Sequence, residues 1–135
     1  MIRYLLDTNI VSYFIKGVND GLIVRMERGF KTQNMAISAV TRAELRFGVE
    51  MMDANDRRRM RITLLLADLP ALPWTAAAAD RFGDIKAQLQ RKGKPIGEFD
   101  TQIAAHALAE GLILVTHNTR HFERVPGLKL EDWMG

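Results

Sequence analysis

Three short apolar runs, separated by segments of helical periodicity, dominate the chain. Residues 2–6, 35–40 and 112–116 are apolar almost throughout, without the alternation of a half-exposed strand. Such runs are typical of parallel strands that are covered on both faces. A weaker run at residues 71–74 contains Pro73, which cannot donate to a central ladder, so it predicts an edge strand. We expect a last edge strand near residues 128–130.

Helical patterns occupy the segments between these runs. They predict helices at residues 10–15, 19–29, 41–52, 54–69, 75–90 and 101–109, and a turn or short helix near 120–124. In this interpretation Thr41 opens the third helix, Asn19 and Thr75 cap the second and fifth, and glycines end the first, second and sixth: Gly17, Gly29 and Gly111. Strands that alternate with helices predict an α/β three-layer sandwich. We expect a mainly parallel central sheet of 4–5 strands, flanked by helices, in one domain over residues 1–135.

Composition excludes several classes of site. The chain has no Cys, which excludes disulfides, thiol nucleophiles and Cys-ligated zinc and is compatible with the cytoplasm, where we expect the protein. No apolar run reaches the roughly 18 residues that span a membrane, and the first residues lack the pattern of a targeting peptide. The net charge of +3 favours a polyanionic partner, although a basic protein without such a partner is an equally good interpretation.

Acidic residues stand where the predicted strands end. Asp7 directly follows the first strand, Glu44 lies one turn into the helix after the second, and Asp100 opens the helix before the third. Asn118 follows that third strand closely. Because parallel strands present their carboxyl ends at one edge, we expect these side chains to gather there. Clustered carboxylates repel one another, and hard oxygen ligands without Cys indicate Mg²⁺ or Mn²⁺ as the compensating ion.

Each acid also has a purely structural interpretation. In this interpretation Asp7 is simply the N-cap of the first helix and has no role in a metal site. Thr41 and Glu44 have the spacing of a capping box, in which the glutamate reaches back to the threonine amide. Asp100 favours the dipole of its helix from the first turn. The hypothesis of a metal site therefore depends on the set of acids rather than on any one of them.

With these residues in view, the chain resembles the PIN-domain family, and within it the VapC toxins of bacterial toxin–antitoxin pairs. The resemblance runs nearly from end to end. Five motifs in order carry it: YLLDTN, ISAVTRAELRFG, RKGKPIGEFDTQIAAHALAEG, LVTHNTRHFERVPGL and LEDW.

The resemblance implies a metal-dependent endoribonuclease that hydrolyses RNA phosphodiesters by metal-activated water. Asp7, Glu44 and Asp100 match the family's acidic triad, as catalytic residues and as ligands of Mg²⁺ or Mn²⁺. Asn118 stands where a fourth acid is often found, and His121 stands where close relatives often have Glu. A second metal position therefore stays open. The hydrolysis is expected to give a 5′-phosphate and a 3′-hydroxyl.

The resemblance also implies partners. A cognate VapB-like antitoxin is expected to inhibit the enzyme, and the substrate is expected to be tRNA, with initiator tRNA favoured. A homodimer is expected to join through the antitoxin into a larger complex, which binds promoter DNA only through the antitoxin. No membrane partner is expected.

Supporting roles fall to residues near the acids. We expect five residues to surround the metal ligands and hold them in place: Thr8, Asn9, Thr116, Glu98 and His121. An exposed loop carboxylate is an alternative interpretation of Glu98. RNA phosphate contact is expected from Arg91, Lys92 and Lys94, close in sequence to Asp100. A second basic cluster at residues 57–61 can grip RNA or simply form a solvated helix face. His106 is interpreted as a packed helix histidine.

Two other classes of function compete with the nuclease. One is a receiver- or phosphatase-like domain that uses Asp7 as a phosphoryl acceptor, but Asn9 replaces the second Asp of such a motif and no Lys follows the late strand. The other is a non-catalytic scaffold that binds an antitoxin or RNA, which Asn118 and His121 keep open.

Overall fold

The computed structural model describes residues 1–135. Five strands and seven helices follow one another along the chain. They are β1 (Tyr4–Leu6), α1 (Thr8–Lys16), α2 (Asp20–Thr32), β2 (Met35–Ser38), α3 (Ala39–Met51), α4 (Arg57–Asp68), β3 (Ala71–Leu72), α5 (Ala76–Arg91), α6 (Glu98–Glu110), β4 (Ile113–Val115), α7 (Thr119–Phe122) and β5 (Leu130–Glu131).

The sheet has the order β3-β2-β1-β4-β5, and every neighbouring pair of strands is parallel. β1 is the central strand, so Leu5 pairs with Ala36 on one side and with Leu114 on the other. The two short strands β3 and β5 lie at the edges, as the sequence predicts. The predicted α/β sandwich with a parallel central sheet is thus confirmed, with five strands.

Each face of the sheet carries its own hydrophobic core. Leu6 points into a core that α1, α2, α3 and α4 cover, whereas Leu5 points into a core that α5, α6 and α7 cover. Both side chains are fully buried. Because successive strand residues face opposite sides, the continuous apolar run of β1 supplies both cores. The central strand β1 is therefore apolar and buried at Leu5 and Leu6, and Asp7 is the first polar residue at the carboxyl end of this strand.

Several predicted boundaries are wrong: α4 begins at Arg57 instead of residue 54, α6 begins at Glu98 instead of residue 101, and two further errors have a clear physical cause. Helix α3 begins at Ala39 with Ser38 as its N-cap, and the Ser38 hydroxyl accepts from the Val40 amide at 3.0 Å. The sequence pattern places this boundary at Thr41, because 35–40 is apolar enough to extend the strand. Helix α2 continues past Gly29 to Thr32. Gly29 is needed for packing instead, since a Cβ there would overlap with the Met35 side chain.

The other caps follow the sequence signals. The Asn19 side chain accepts from the Leu22 amide at 2.8 Å, and the Thr75 hydroxyl accepts from the Ala78 amide at 3.1 Å. Gly17 and Gly111 end α1 and α6 in the left-handed conformation that glycine adopts without strain. None of the helices has the length and apolar character needed to cross a bilayer.

Candidate active site at the carboxyl edge of the sheet

Asp7 occupies the centre of this edge. It follows β1 and is the N-cap of α1, where its Oδ1 accepts from the Ile10 amide at 2.7 Å. Only 4% of the residue is exposed. Burial raises the pKa of Asp7 from 3.8 to about 6, against the opposing hydrogen bonds from Thr116 and Ile10. The charges of Asp100 and Glu44 raise the pKa further, so Asp7 is both a helix cap and a member of an acidic cluster.

Glu44 joins the cluster from α3. Its Oε1 lies 2.7 Å from the Thr8 hydroxyl, which is also 3.1 Å from the Thr41 hydroxyl. Thr8 has one proton, and the charged carboxylate is the stronger acceptor, so Thr41 donates to Thr8 in turn. The capping-box interpretation is wrong, because Ser38 is the cap and Glu44 reaches across to α1 instead. A threonine relay thus holds Glu44 beside the end of β1.

Asp100 enters from the first turn of α6, which packs along α5. Its Oδ2 lies 3.1 Å from Nε2 of His121 on α7. This separation is an ion-pair distance without hydrogen-bond geometry, and Nε2 is buried without any other partner. The Asp100 side chain is 40% exposed. Asp100 therefore faces solvent more openly than Asp7.

The segment after β4 completes the edge. Thr116 is fully buried, and its hydroxyl accepts from the Asn118 amide at 3.0 Å. A recess of about 240 Å³ opens here, lined by Asp7, Asn9, Tyr13, His117 and Asn118. The recess is therefore lined by one carboxylate, two side-chain amides and two aromatic rings.

His117 and Tyr13 form one wall of this recess. His117 Nδ1 lies 3.0 Å from Asp132 Oδ2, and its ring stands edge-on to the Tyr13 ring with centroids 6.3 Å apart. His117 is thus directed toward Asp132, whereas His121 is directed toward Asp100.

Two further predicted residues lie outside the cluster of acids. Glu98 is the first residue of α6, and its carboxylate is 2.6 Å from the Lys86 ammonium group on α5. Glu98 is exposed, as the alternative interpretation expects, but it lies in the first turn of α6 rather than in a loop, and its ion pair is with Lys86. His106 is fully buried and its Nδ1 lies 2.7 Å from the Ser38 hydroxyl. Burial lowers the pKa of His106, consistent with a packed, neutral imidazole that ties α6 to the start of α3.

A basic recess of about 290 Å³ lies beside α7. Lys92 and Lys94, which the sequence indicates, line it together with Arg120 and Arg124, which sequence reasoning missed. Arg124 donates to the Pro95 carbonyl at 3.3 Å. Arg91, the last residue of α5, is exposed and does not line this recess. The spacing of Arg120 and Arg124 by one helical turn was the available signal.

The donor set at the edge fits a divalent cation. Three carboxylates and the Asn118 amide supply hard oxygen atoms, and the Asp7 carboxyl has a raised pKa that a bound cation would reverse. In this structure no three Asp, Glu or His side chains converge tightly enough to enclose an ion. An all-parallel sheet with acidic side chains near the carboxyl end of its central strand places the chain among the α/β proteins whose functional site lies at that edge of the sheet.

Comparison with known proteins supports the same class. The PIN domain family profile matches residues 4–128. The chain is 44% identical over 133 residues to the "tRNA(fMet)-specific endonuclease VapC" of Shigella flexneri, covering 98% of this chain and 99% of that protein. It is 43% identical over 134 residues to "Ribonuclease VapC2" of Haemophilus influenzae, covering 99% of this chain and all of that protein.

Solved structures of VapBC complexes have the same fold as this chain. The DNA-bound VapBC of Salmonella typhimurium superposes with a TM-score of 0.90 at 38% identity, covering 98% of this chain and 99% of that chain. VapBC2 of Rickettsia felis, bound to a fragment of its promoter, superposes with a TM-score of 0.87 at 36% identity, covering 98% and 99%. The chain belongs to the PIN-domain family, and within it to the VapC endoribonucleases.

Proposed function

We propose that this protein is a Mg²⁺- or Mn²⁺-dependent endoribonuclease that hydrolyses tRNA in the cytoplasm, with initiator tRNA as the favoured substrate. Cleavage of this substrate inhibits translation. The observation that carries the proposal is the electrostatic cluster of Asp7, Glu44 and Asp100 at the carboxyl edge of the sheet. The end-to-end similarity to a tRNA(fMet)-specific endonuclease supports the choice of substrate.

Asp7 and Asp100 are the proposed metal ligands, and Asn118 offers a neutral oxygen beside them. When bound, a divalent ion supplies Lewis acidity and lowers the pKa of the attacking water. Asp7 is nearly excluded from solvent, so its negative charge is best compensated by a cation. The neighbouring Thr116 side chain favours the charged form of Asp7 and so opposes part of the effect of burial.

Glu44 is the proposed ligand or water-orienting residue. Thr8 donates to its Oε1 at 2.7 Å, which leaves Oε2 available to an incoming water. Because Thr8 is held by Thr41, the carboxylate does not rotate freely. A carboxylate fixed in this way can align the water and accept its proton as the phosphodiester bond breaks. Asn9, at the recess that also holds Asp7, is a proposed contact to substrate phosphate.

The RNA backbone is proposed to follow the basic recess beside α7. Lys92, Lys94, Arg120 and Arg124 present four cations against a single carboxylate, that of Glu123. Phosphates are bound by such groups independently of base sequence. The recess is close to the acids, because Arg120 directly precedes His121, whose ring contacts Asp100. Arg91, at the end of α5, is proposed as a further contact to the RNA backbone outside this recess.

Two of the four arginines in the other basic cluster, on α4, already make local contacts. The Arg58 guanidinium lies 2.7 Å from the Asp56 carboxylate, and Arg59 donates to the carbonyls of Val49 and Met52. These contacts cap α4 and tie it to the end of α3. They favour the recess beside α7 as the place where the substrate backbone binds.

A VapB-like antitoxin is the proposed inhibitor. The similar structures from Salmonella and Rickettsia are VapBC complexes bound to DNA. Large apolar side chains on α3 and α4 are more than half exposed here, which favours a protein partner on that face: Phe47, Met51, Met60 and Leu64. The proposed assembly is a homodimer joined through the antitoxin into a larger complex, and promoter DNA is contacted only through the antitoxin.

The experiment that tests this function is sequencing of RNA 5′ ends after brief induction of the wild-type chain or of Asp7→Asn. New ends confined to one site of initiator tRNA, dependent on Asp7 and abolished by chelation in vitro, are the expected result. Equal toxicity and equal RNA ends from both chains would overturn the catalytic proposal and leave the non-catalytic scaffold as the better interpretation.

A further inference from the structure

His121 contains a buried nitrogen atom with no hydrogen-bond partner. Its Nε2 faces the Asp100 carboxylate at 3.1 Å, but the approach lacks hydrogen-bond geometry, and no other protein group satisfies the atom. An unpartnered buried polar atom costs free energy, so such an atom at a site calls for an explanation. A bound ion that accepts the nitrogen lone pair is one such explanation.

The ring is held in this position by packing. His121 lies within α7, and its ring stands edge-on to the Phe122 ring, with centroids 5.4 Å apart and an interplanar angle of 87°. Phe122 is itself buried in the core between the sheet and α6. The His121 side chain is 23% exposed, whereas its Nε2 atom is buried. Its nitrogen therefore points at Asp100 without depending on a hydrogen bond to do so.

The separation of the two atoms suits two ligands of one ion. Nitrogen and oxygen ligands of divalent ions lie roughly 2.0–2.2 Å from the metal. Two such ligands at right angles about one ion are roughly 3 Å apart, which is the order of the 3.1 Å observed between Nε2 and Oδ2. A neutral imidazole with its proton on Nδ1 can coordinate through Nε2.

We propose that His121 is a nitrogen ligand of the divalent cation that Asp100 binds. The inference rests on the proposed function, since it assigns a further ligand to the same site. Oxygen ligands suit both Mg²⁺ and Mn²⁺, but Mn²⁺, as a transition-metal ion, accepts an imidazole nitrogen more readily than Mg²⁺ does. A site with His121 in place of an all-oxygen set therefore prefers Mn²⁺ to Mg²⁺.

The nearby histidine does not have this geometry. His117 directs its Nδ1 to the Asp132 carboxylate at 3.0 Å, with hydrogen-bond geometry, and its side chain is 53% exposed. It lies four residues from His121 in the same segment and has the same chemistry. His117→Ala is therefore a matched control for the loss of one imidazole.

Pulsed EPR of Mn²⁺ bound to the full chain tests the proposal directly. The expected result is a ¹⁴N modulation from a coordinated imidazole in the wild type and in His117→Ala, and its loss in His121→Ala. Titration calorimetry with Mn²⁺ alone and with Mg²⁺ alone is the second measurement. We expect His121→Ala to weaken Mn²⁺ binding by at least about 10-fold. The variant His121→Glu, which restores an oxygen ligand, should reduce the preference for Mn²⁺ over Mg²⁺.

The outcomes separate the inference from the function on which it rests. Mn²⁺ binding without nitrogen modulation, or with modulation that persists in His121→Ala, overturns the assignment of His121 and leaves the metal-dependent nuclease in place. If neither ion binds the wild-type chain, the proposed function itself is wrong. His121→Glu guards against a folding defect in His121→Ala, because unaltered metal preference in a folded His121→Glu protein also contradicts the proposal.

Discussion

The two halves of the acidic site are built differently. Around Asp7 and Glu44, protein groups already donate hydrogen bonds to the carboxylates: the Ile10 backbone amide to Asp7 and the Thr8 hydroxyl to Glu44. Around Asp100, the one close partner is a histidine nitrogen that makes no hydrogen bond. The first half lies where β1, α1 and α3 meet above the core, and the second lies on the first turn of α6 and on the short helix α7.

In the first half, the hydrogen-bond partners of the carboxylates are supplied by the folded protein. In the second half, a partner for Asp100 is left to be supplied by a ligand. The Asp7 half combines the buried Asp7 carboxylate, which needs partners for the chain to fold, with the part-buried pair of Thr8 and Glu44. The Asp100 half lies nearer to solvent, where water or an ion can satisfy it. We therefore expect substitutions in the first half to change catalysis and stability together, and substitutions in the second half to change ligand binding with little change in stability.

The largest expected effect is the loss of catalysis in Asp7→Asn. The amide keeps the helix cap but removes the charge at the centre of the site. We expect RNA cleavage with Mg²⁺ or Mn²⁺ to fall by more than the roughly 100-fold that marks the loss of a supporting residue. Single-turnover cleavage of tRNA measures this. The exposed Asp80 on α5 gives the matched control, Asp80→Asn, which should cleave at the wild-type rate.

The same substitution should stabilise the metal-free protein. Because the folded pKa of Asp7 is about 6 and its ordinary value is 3.8, the folded state holds this proton more tightly than the unfolded chain. Stability is therefore lost as pH rises from about 4 to 6, and the full cost, roughly 3 kcal/mol at most, is present above pH 6. Urea unfolding in EDTA at pH 7.5 should find Asp7→Asn more stable than the wild type.

Two controls sharpen this measurement. The difference in the free energy of unfolding between Asp7→Asn and the wild type should shrink as pH falls through 6 toward 4, where the wild-type carboxyl becomes protonated. Saturating Mn²⁺ should reverse the order by stabilising the wild type alone. If this difference were the same at every pH, the burial of the Asp7 charge would not be the cause of the higher stability of Asp7→Asn.

A smaller effect is expected from Thr8→Val. Valine keeps the shape of threonine but leaves the Glu44 Oε1 atom without its donor. We expect kcat to fall by about 10–100-fold, the range for residues that orient a ligand. Thr8→Ser, which retains the hydroxyl, should recover most of the rate. If valine and serine behave alike, the hydroxyl does not position Glu44.

The smallest effect is expected in the basic recess. The double variant Arg120→Ala/Arg124→Ala should raise KM for tRNA while changing kcat little, because these groups bind the backbone away from the reacting bond. The slope of log KM against log salt should weaken by about 0.7 for each RNA phosphate that the variant no longer neutralises. Arg57→Ala/Arg61→Ala on α4 removes the same charge. Equal salt dependence in both double variants would contradict RNA binding at the recess.

Local patterns were sufficient to predict most of the fold. The continuous apolar runs indicated buried parallel strands, and Asn19, Thr75 and Gly111 marked helix ends that the structure confirms. The failures occurred where tertiary packing overrode a local signal. Gly29 reads as a helix terminator, yet it lies inside α2 because Met35 occupies the space of a side chain. Thr41 reads as a cap, yet it lies inside α3 and supports Thr8.

The amino-acid sequence specifies which chemistry is present: the three carboxylates, the absence of thiols, and a parallel sheet that collects strand ends at one edge. How those groups are used depends on the folded structure. It buried Asp7 and so raised its pKa, joined Glu44 to Thr8 across 36 positions, and directed Glu98 to Lys86. It also set the unpartnered nitrogen of His121 against Asp100. Burial and contacts between distant residues are properties of the folded chain, so no local pattern encodes them.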